Sequence, residues 1–135
     1  MTAPTVRSTG ARTVTLAAGA DVLAVLVFAA VGRSSHAEAL HAFGVLSTAA
    51  PFLFGLLAGW LGVQAWRAPL RLRVGVAVWA GAVVVGLGTR AAFTHRLPLT
   101  FVLVAATSLA LLLLGWRAAC YSYRRASIGR SRAAR

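Results

Sequence analysis

The sequence predicts an all-α integral membrane protein with four transmembrane helices, and three observations support this fold class. Four long apolar stretches occur in 135 residues, of which 59% are hydrophobic and only 12% are charged. A bilayer core about 30 Å thick needs roughly 20 apolar helical residues, and each stretch approaches that length. Arg residues lie at the ends of the stretches, as positive-inside topology requires. We therefore expect one transmembrane domain over residues 13–118 and no separate globular domain.

The tails and spans follow from where the apolar stretches begin and end. We expect an N-terminal cytoplasmic tail over residues 1–12 and an Arg-rich, disordered cytoplasmic tail over residues 119–135. The four spans are expected at about residues 14–32, 43–66, 72–89 and 97–116. Short connections join the first two spans, and the last two, into two helical hairpins.

The first span contains an acidic residue, Asp21, roughly 12 Å from its predicted cytoplasmic end. An ionised carboxylate at that depth costs several kcal/mol unless it is paired or hydrated. Asp21 is therefore a candidate intramembrane polar site. One interpretation is a structural ion pair or a buried neutral carboxyl, with Arg71, Arg73 or Arg117 as the partner that reaches down from the cytoplasmic side. The other is a proton or cation site in a transport path.

Small residues predict that the second and third spans pack closely together. The second span carries Gly55 and Gly59 four positions apart, and the third carries a comparable set of small residues, Ala77, Gly81, Ala82 and Gly86. Small side chains at this spacing let two helix backbones approach each other. The contact is expected either within one chain or, alternatively, at the seam of a dimer.

The second and fourth spans have further distinguishing features. Pro51 either kinks one long second helix or begins a shorter helix after an interfacial segment, and we favour the kink. The fourth span has few small residues and a run of four leucines, Leu111–Leu114, so we expect it to face lipid.

The charge distribution predicts the orientation of the chain. Eleven of the fourteen basic residues, all of them Arg, fall on the side that holds both termini, and the other side has only Arg33, Arg90 and Arg96. This places both termini in the cytoplasm. The net charge of +12 does not indicate a nucleic-acid binder, because the Arg residues lie at span ends and in tails rather than on a soluble face.

Polar residues near the predicted outer ends form a second candidate site. Arg33, His36, Arg90 and His95 could line an outer vestibule that attracts an anion, although Arg side chains at span ends usually extend to the lipid headgroups. The histidines His36, His41 and His95 also permit a metal or haem site. His36 and His41 are five residues apart and point about 140° from each other on one helix, so sharing a metal would need a bend.

The scarcity of acids limits the chemistry. Asp21 and Glu38 are the only two carboxylates, and the predicted depths keep them apart, so a carboxylate pair for acid–base catalysis is excluded. The sequence has no phosphate loop, nucleophile elbow or Cys/His zinc pattern. A single cysteine, Cys120, cannot form an internal disulfide. We expect a protein that is not an enzyme and needs no cofactor or metal to fold.

Several short motifs occur in a recognisable order along the chain. They are Asp21–Phe28 followed by Gly32-Arg33-Ser34-Ser35-His36, then Thr48–Phe52, Val78-Trp79, Gly86, Arg90 and Gly115-Trp116-Arg117. In this order they resemble a bacterial and archaeal family catalogued as domain of unknown function 3054, over about residues 20–118. The resemblance implies a small four-helix protein of the plasma membrane. It highlights Asp21, Arg33, His36, Pro51 and Arg90 without assigning them a role.

These observations leave three hypotheses for function. The first is an oligomeric transport or channel-like protein for a small ion or solute, with Asp21 inside the membrane and the outer vestibule as its entrance. The second is an accessory or scaffold subunit of a larger membrane complex, in which the glycine faces are docking surfaces. The third is a metal- or haem-binding protein based on His36, His41 and His95. The expected partners are membrane lipid and further copies or subunits, and not nucleic acid.

Overall fold

Four α-helices and one short 3₁₀-helix account for nearly all of the described chain. The structure is a computed structural model that describes the backbone of residues 8–35 and 41–133 and the side chains of residues 10–34 and 41–128. The helices are α1 (Ser8–Ser35), α2 (Ala42–Gly62), the 3₁₀-helix (Ala65–Arg67), α3 (Leu72–Thr94) and α4 (Leu99–Ala133). By length and composition, each α-helix can cross a membrane. The chain is therefore an all-α membrane protein.

The helix bounds differ from the predicted spans at several places, and among them α3 ends at Thr94 rather than at residue 89. α1 begins at Ser8, within the predicted N-terminal tail. α2 ends at Gly62 rather than at residue 66, because Gln64 adopts a left-handed backbone with φ 49° and breaks the helical hydrogen-bonding pattern. α4 continues to Ala133, although disorder was expected from residue 119. The last part of α4 contains Ala and Arg, which favour helix, and no Pro, so no residue forces the helix to end at the membrane boundary.

The four helices form a closed ring in which each contacts the next and α4 contacts α1. Contacting residues run in opposite directions along neighbouring helices. Trp60 on α2 bonds to Asp21 on α1, and Arg33 at the other end of α1 bonds to Thr48 near the start of α2. α1 and α2 are therefore antiparallel. Contacts between α2 and α3, and between α3 and α4, also run in opposite directions along the two helices. The end of the bundle at Ser35 is called the Arg33 end below, and the opposite end is called the termini end.

α2 and α3 approach each other most closely, as the small residues predicted. A Cβ atom at Gly55 would lie 2.8 Å from the carbonyl oxygens of Gly81 and Ala82, and one at Gly81 would lie 2.6 Å from the Cα of Gly59. Gly86 contacts Phe52 in the same way. These glycines therefore pack between two helices of the same chain. Ala77, the remaining member of the predicted set, is half-buried.

The outer surface of the bundle is apolar, and each helix buries one of its sides in the interior. On α4, residues four apart are fully buried, namely Ala105, Leu109 and Leu113. Leu103 and Leu111 on the same helix are exposed. The expectation that α4 faces lipid can therefore apply to one side of the helix only, because the other side is buried.

Pro51 lies inside α2, which is continuous from Ala42 to Gly62. The alternative in which Pro51 starts a shorter helix is therefore wrong. Next to it, Phe52 is fully buried and meets the edge of Phe28 at 5.1 Å and the ring of Phe101 at 6.3 Å. These three rings tie α1, α2 and α4 together toward the Arg33 end.

Candidate functional site

Asp21 is fully buried, and its carboxylate accepts four hydrogen bonds. Arg117 donates from Nη1 to Oδ1 and from Nη2 to Oδ2, both at 2.7 Å. Trp116 donates its indole N–H to Oδ1 and Trp60 donates its indole N–H to Oδ2, both at 2.9 Å. α1 therefore carries the carboxylate, and α2 and α4 supply its hydrogen-bond donors. We call Asp21, Trp60, Trp116 and Arg117 the Asp21 cluster.

The guanidinium of Arg117 is as completely surrounded as the carboxylate. Its Nε donates to the Pro69 carbonyl at 3.0 Å, and Nη1 also donates to the Leu113 carbonyl at 2.8 Å. Its Cζ lies 4.4 Å from the centre of the Trp116 ring. The stem passes over Gly75, where a Cβ would lie 2.6 Å from the Arg117 Cδ. The lack of a side chain at Gly75 therefore provides the space that Arg117 occupies.

The geometry of the Asp21 cluster favours the structural interpretation of Asp21. Both side chains of the ion pair are 0% exposed, and no buried side-chain N or O atom in the described part of the chain lacks a partner. A carboxylate whose two oxygens each accept two hydrogen bonds offers no open position to a passing cation. Of the three Arg residues expected as partners, Arg117 is the one found, whereas Arg71 and Arg73 are exposed.

The two Trp members of the Asp21 cluster were not predicted from the sequence. In the sequence, Trp116 stands out only as part of the motif Gly115-Trp116-Arg117, and no pattern points to Trp60. A signal did exist, because a buried indole N–H normally needs a hydrogen-bond acceptor, and Asp21 is the strongest acceptor among the spans. Trp79 follows the same rule and donates to the Ala106 carbonyl at 2.9 Å. Trp79 is therefore a packing residue between α3 and α4.

A cavity of about 640 Å³ lies between α1 and α4 toward the Arg33 end. Arg33 and Arg90 both line it, so the structure brings together two of the four residues predicted for the outer vestibule. Thr48, Pro98 and Thr100 also line it. Most of the remaining wall is apolar, and comprises Val27, Phe28, Val31, Phe101, Val104, Leu111 and Leu112, with Gly32 and Ser108 between them. We call this space the Arg33–Arg90 cavity.

The two guanidinium groups are held differently. Arg33 lies over Gly44, where a Cβ would be 2.7 Å from the Arg33 Cζ, and its Nη1 is 3.4 Å from the Thr48 hydroxyl. The Cζ of Arg90 lies 4.4 Å from the centre of the Phe101 ring, on its face. Arg90 has no carboxylate partner among the described residues. It also lines a second cavity of about 320 Å³ beside Pro51.

The histidines do not assemble into a site within the described residues. His95 is exposed, caps the end of α3 with φ 52° and is not part of either cavity wall. His41 caps the start of α2. His36 and Glu38 lie outside the described residues. No group of three His, Cys, Asp or Glu residues that could hold a metal occurs among residues whose placement is described.

The chain matches a protein family over most of its length. No curated protein and no solved structure matches this chain. One family does match, over residues 18–120, and this range includes every member of the Asp21 cluster and both Arg residues of the cavity. The chain therefore belongs to the family described as protein of unknown function (DUF3054).

Proposed function

We propose that this protein is a non-enzymatic membrane protein that binds an anionic ligand in the Arg33–Arg90 cavity and, as an oligomer, carries it across the membrane. The observation that supports this most strongly is Arg90. Arg90 lines a cavity of about 640 Å³, and its guanidinium has no carboxylate partner among the described residues. An Arg side chain that lines a cavity without an acidic partner is suited to hold an anion.

The scarcity of acids strengthens the argument for an external anion. Asp21 is the one acidic side chain among the described residues, and it is paired with Arg117, whereas Glu38 lies outside the described residues. Arg33 lines the same cavity as Arg90, and an Arg guanidinium is well suited to bind carboxylate and phosphate oxygens. The eleven Arg residues on the predicted cytoplasmic side support an orientation in which the cavity opens to the outer leaflet of the plasma membrane.

An oligomer is part of the proposal because the interior of one chain is filled. The Asp21 cluster occupies the bundle toward the termini end, and Phe52 lies fully buried between helices toward the other end. A path through one chain would have to disrupt both. The cavity instead lies at the α1–α4 side, where a second copy could complete a route.

The scaffold hypothesis loses its proposed docking surfaces. Gly55, Gly59, Gly81 and Gly86 are occupied by contacts between α2 and α3 of the same chain. They are therefore not free to bind another subunit while the bundle is folded.

The proposal can be tested by transport in vesicles. Protein would be reconstituted into phosphatidylcholine vesicles with two labelled anions, soluble glycerol phosphate and membrane-bound phosphatidylglycerol. Wild-type protein should move one of them faster than empty vesicles, and Arg90→Gln should slow it about tenfold. Arg96→Gln removes the same charge from an exposed position near the same end and should have no effect. Equal rates for empty vesicles and wild type would overturn the transport function.

A further inference from the structure

The Arg33–Arg90 cavity is long and has one charged end. Along α4 its wall extends from Pro98 to Leu112, which corresponds to about 21 Å at the rise of an α-helix. Both Arg residues lie near the Arg33 end, together with the hydroxyls of Thr48 and Thr100. Away from that end the wall contains Ser108 and otherwise only apolar side chains. A ligand that fills this space needs a charged head and an apolar body.

The cavity is accessible from the side of the bundle. Its wall includes apolar residues of α1 and α4 that are largely exposed, Val27 at 40%, Val31 at 58%, Val104 at 59% and Leu111 at 71%. In a membrane protein, exposed apolar side chains on the outside of the bundle face lipid tails. The cavity is thus a groove that opens to the hydrocarbon region, and a membrane-resident molecule can enter it without crossing water.

We infer that the ligand of this groove is an anionic phospholipid, with its phosphate at Arg33 and Arg90 and one acyl chain along the α1–α4 groove. This inference rests on the proposed anion-binding function. Charge complementarity favours an anionic over a zwitterionic headgroup, because Arg90 has no carboxylate partner among the described side chains, those of residues 10–34 and 41–128. The apolar length favours a lipid over a soluble anion, which would leave the deeper part of the groove unfilled.

The headgroup contact can be tested by native mass spectrometry of full-length protein released from nanodiscs. The nanodiscs would contain equal amounts of phosphatidylglycerol and phosphatidylcholine with the same acyl chains. Wild type should retain phosphatidylglycerol in preference to phosphatidylcholine. Arg90→Gln should lower that preference about tenfold, because a charge-assisted hydrogen bond is lost. The matched variant Arg96→Gln should behave as wild type.

The acyl-chain contact needs a different pair of variants. Val104 and Leu103 are adjacent on α4 and both are 59% exposed, but only Val104 lines the groove. Val104→Trp should block the groove and abolish lipid retention, and Leu103→Trp should not. Both changes add the same ring to a lipid-facing surface, so a folding defect specific to one of them is not expected. A thermal unfolding curve for each variant would show that both are folded.

The outcomes separate the lipid inference from the anion-binding function. Glycerol phosphate alone could raise the thermal unfolding temperature of wild type but not of Arg90→Gln, while phosphatidylglycerol is not retained. In that case the lipid inference fails and the anion site stands. If both lipids are retained equally and neither Arg90→Gln nor Val104→Trp changes retention, both proposals fail. Loss of phosphatidylglycerol on both changes, with the two control variants unaffected, supports the lipid.

Discussion

The carboxylate of Asp21 and the guanidinium of Arg117 meet through two parallel hydrogen bonds of 2.7 Å, although 96 positions separate them in the chain. The pair joins the first helix to the last and so closes the ring of four helices. Both groups are fully buried, and each is also bonded to other partners. Breaking this pair should therefore affect the whole bundle rather than one helix end.

Removing the cationic partner should destabilise the protein strongly. Arg117→Met fills a similar volume but leaves the Asp21 carboxylate buried with only the two Trp donors. The loss of one partner of a buried ion pair costs about 3–5 kcal/mol. The free energy of unfolding, measured by titration with a denaturing detergent, should fall by about this amount. Arg124→Met, an exposed change on the same helix, serves as the control. Equal stability of the two variants would show that the pair contributes little.

A change at Asp21 should reduce stability through the same contact. In Asp21→Asn one carboxylate oxygen is replaced by an NH₂ group, which would face N–H donors from Arg117 and a Trp. A double-mutant cycle with Arg117→Met should give a coupling energy in the range of about 0.5–3 kcal/mol for residues in contact. If Asp21→Asn instead keeps full stability and abolishes transport, Asp21 has a direct functional role.

The stem of Arg117 provides a more local prediction. Gly75→Ala places a methyl group where the Arg117 Cδ now lies, so the side chain must move and its bonds to Asp21 lengthen. We expect a loss of about 1–3 kcal/mol in unfolding free energy, as for overpacking of a tight core. Gly88→Ala on the same helix has open space around it and should be neutral or stabilising. A shift in tryptophan fluorescence confined to Gly75→Ala would report on Trp60 and Trp116.

The sequence was sufficient to predict the elements but not all of their contacts. Hydropathy located four helices because a membrane requires long apolar segments. The spacing of small residues predicted the α2–α3 contact, since close backbone approach needs small side chains. The helix ends were less predictable, because α1 and α4 extend past the apolar stretches into segments that hydropathy cannot distinguish from tails.

Only those parts of the candidate sites that follow from the need to pair buried charges could be predicted from the sequence. A buried Asp21 needed a cation, which limited its partner to a few Arg residues. The two Trp donors depend on the rotation of helices about their axes, and the Pro69 carbonyl depends on the turn before α3. A single sequence determines neither. Similarly, Arg33 and Arg90 were both expected near one end, but the groove between α1 and α4 follows from how those helices pack.

The contact between α2 and α3 should tolerate no added side chain. In Gly55→Ala the new Cβ would lie 2.8 Å from two carbonyl oxygens and from the Gly86 nitrogen, and backbone atoms cannot rotate away as a side chain can. The two helices must separate, so we expect a loss of at least about 2 kcal/mol in unfolding free energy.

The matched control for this contact is Gly115→Ala on α4, where no atom lies within 4 Å of the added Cβ. Removing a helix-interior glycine from an open site should stabilise the protein by about 0.5–1 kcal/mol. Unfolding in detergent and the native mass would be measured for both variants. Because the glycines pack within one chain, Gly55→Ala should lower the unfolding free energy of the monomer itself. A variant that keeps its monomer stability but loses an oligomer would instead place Gly55 at a seam between copies.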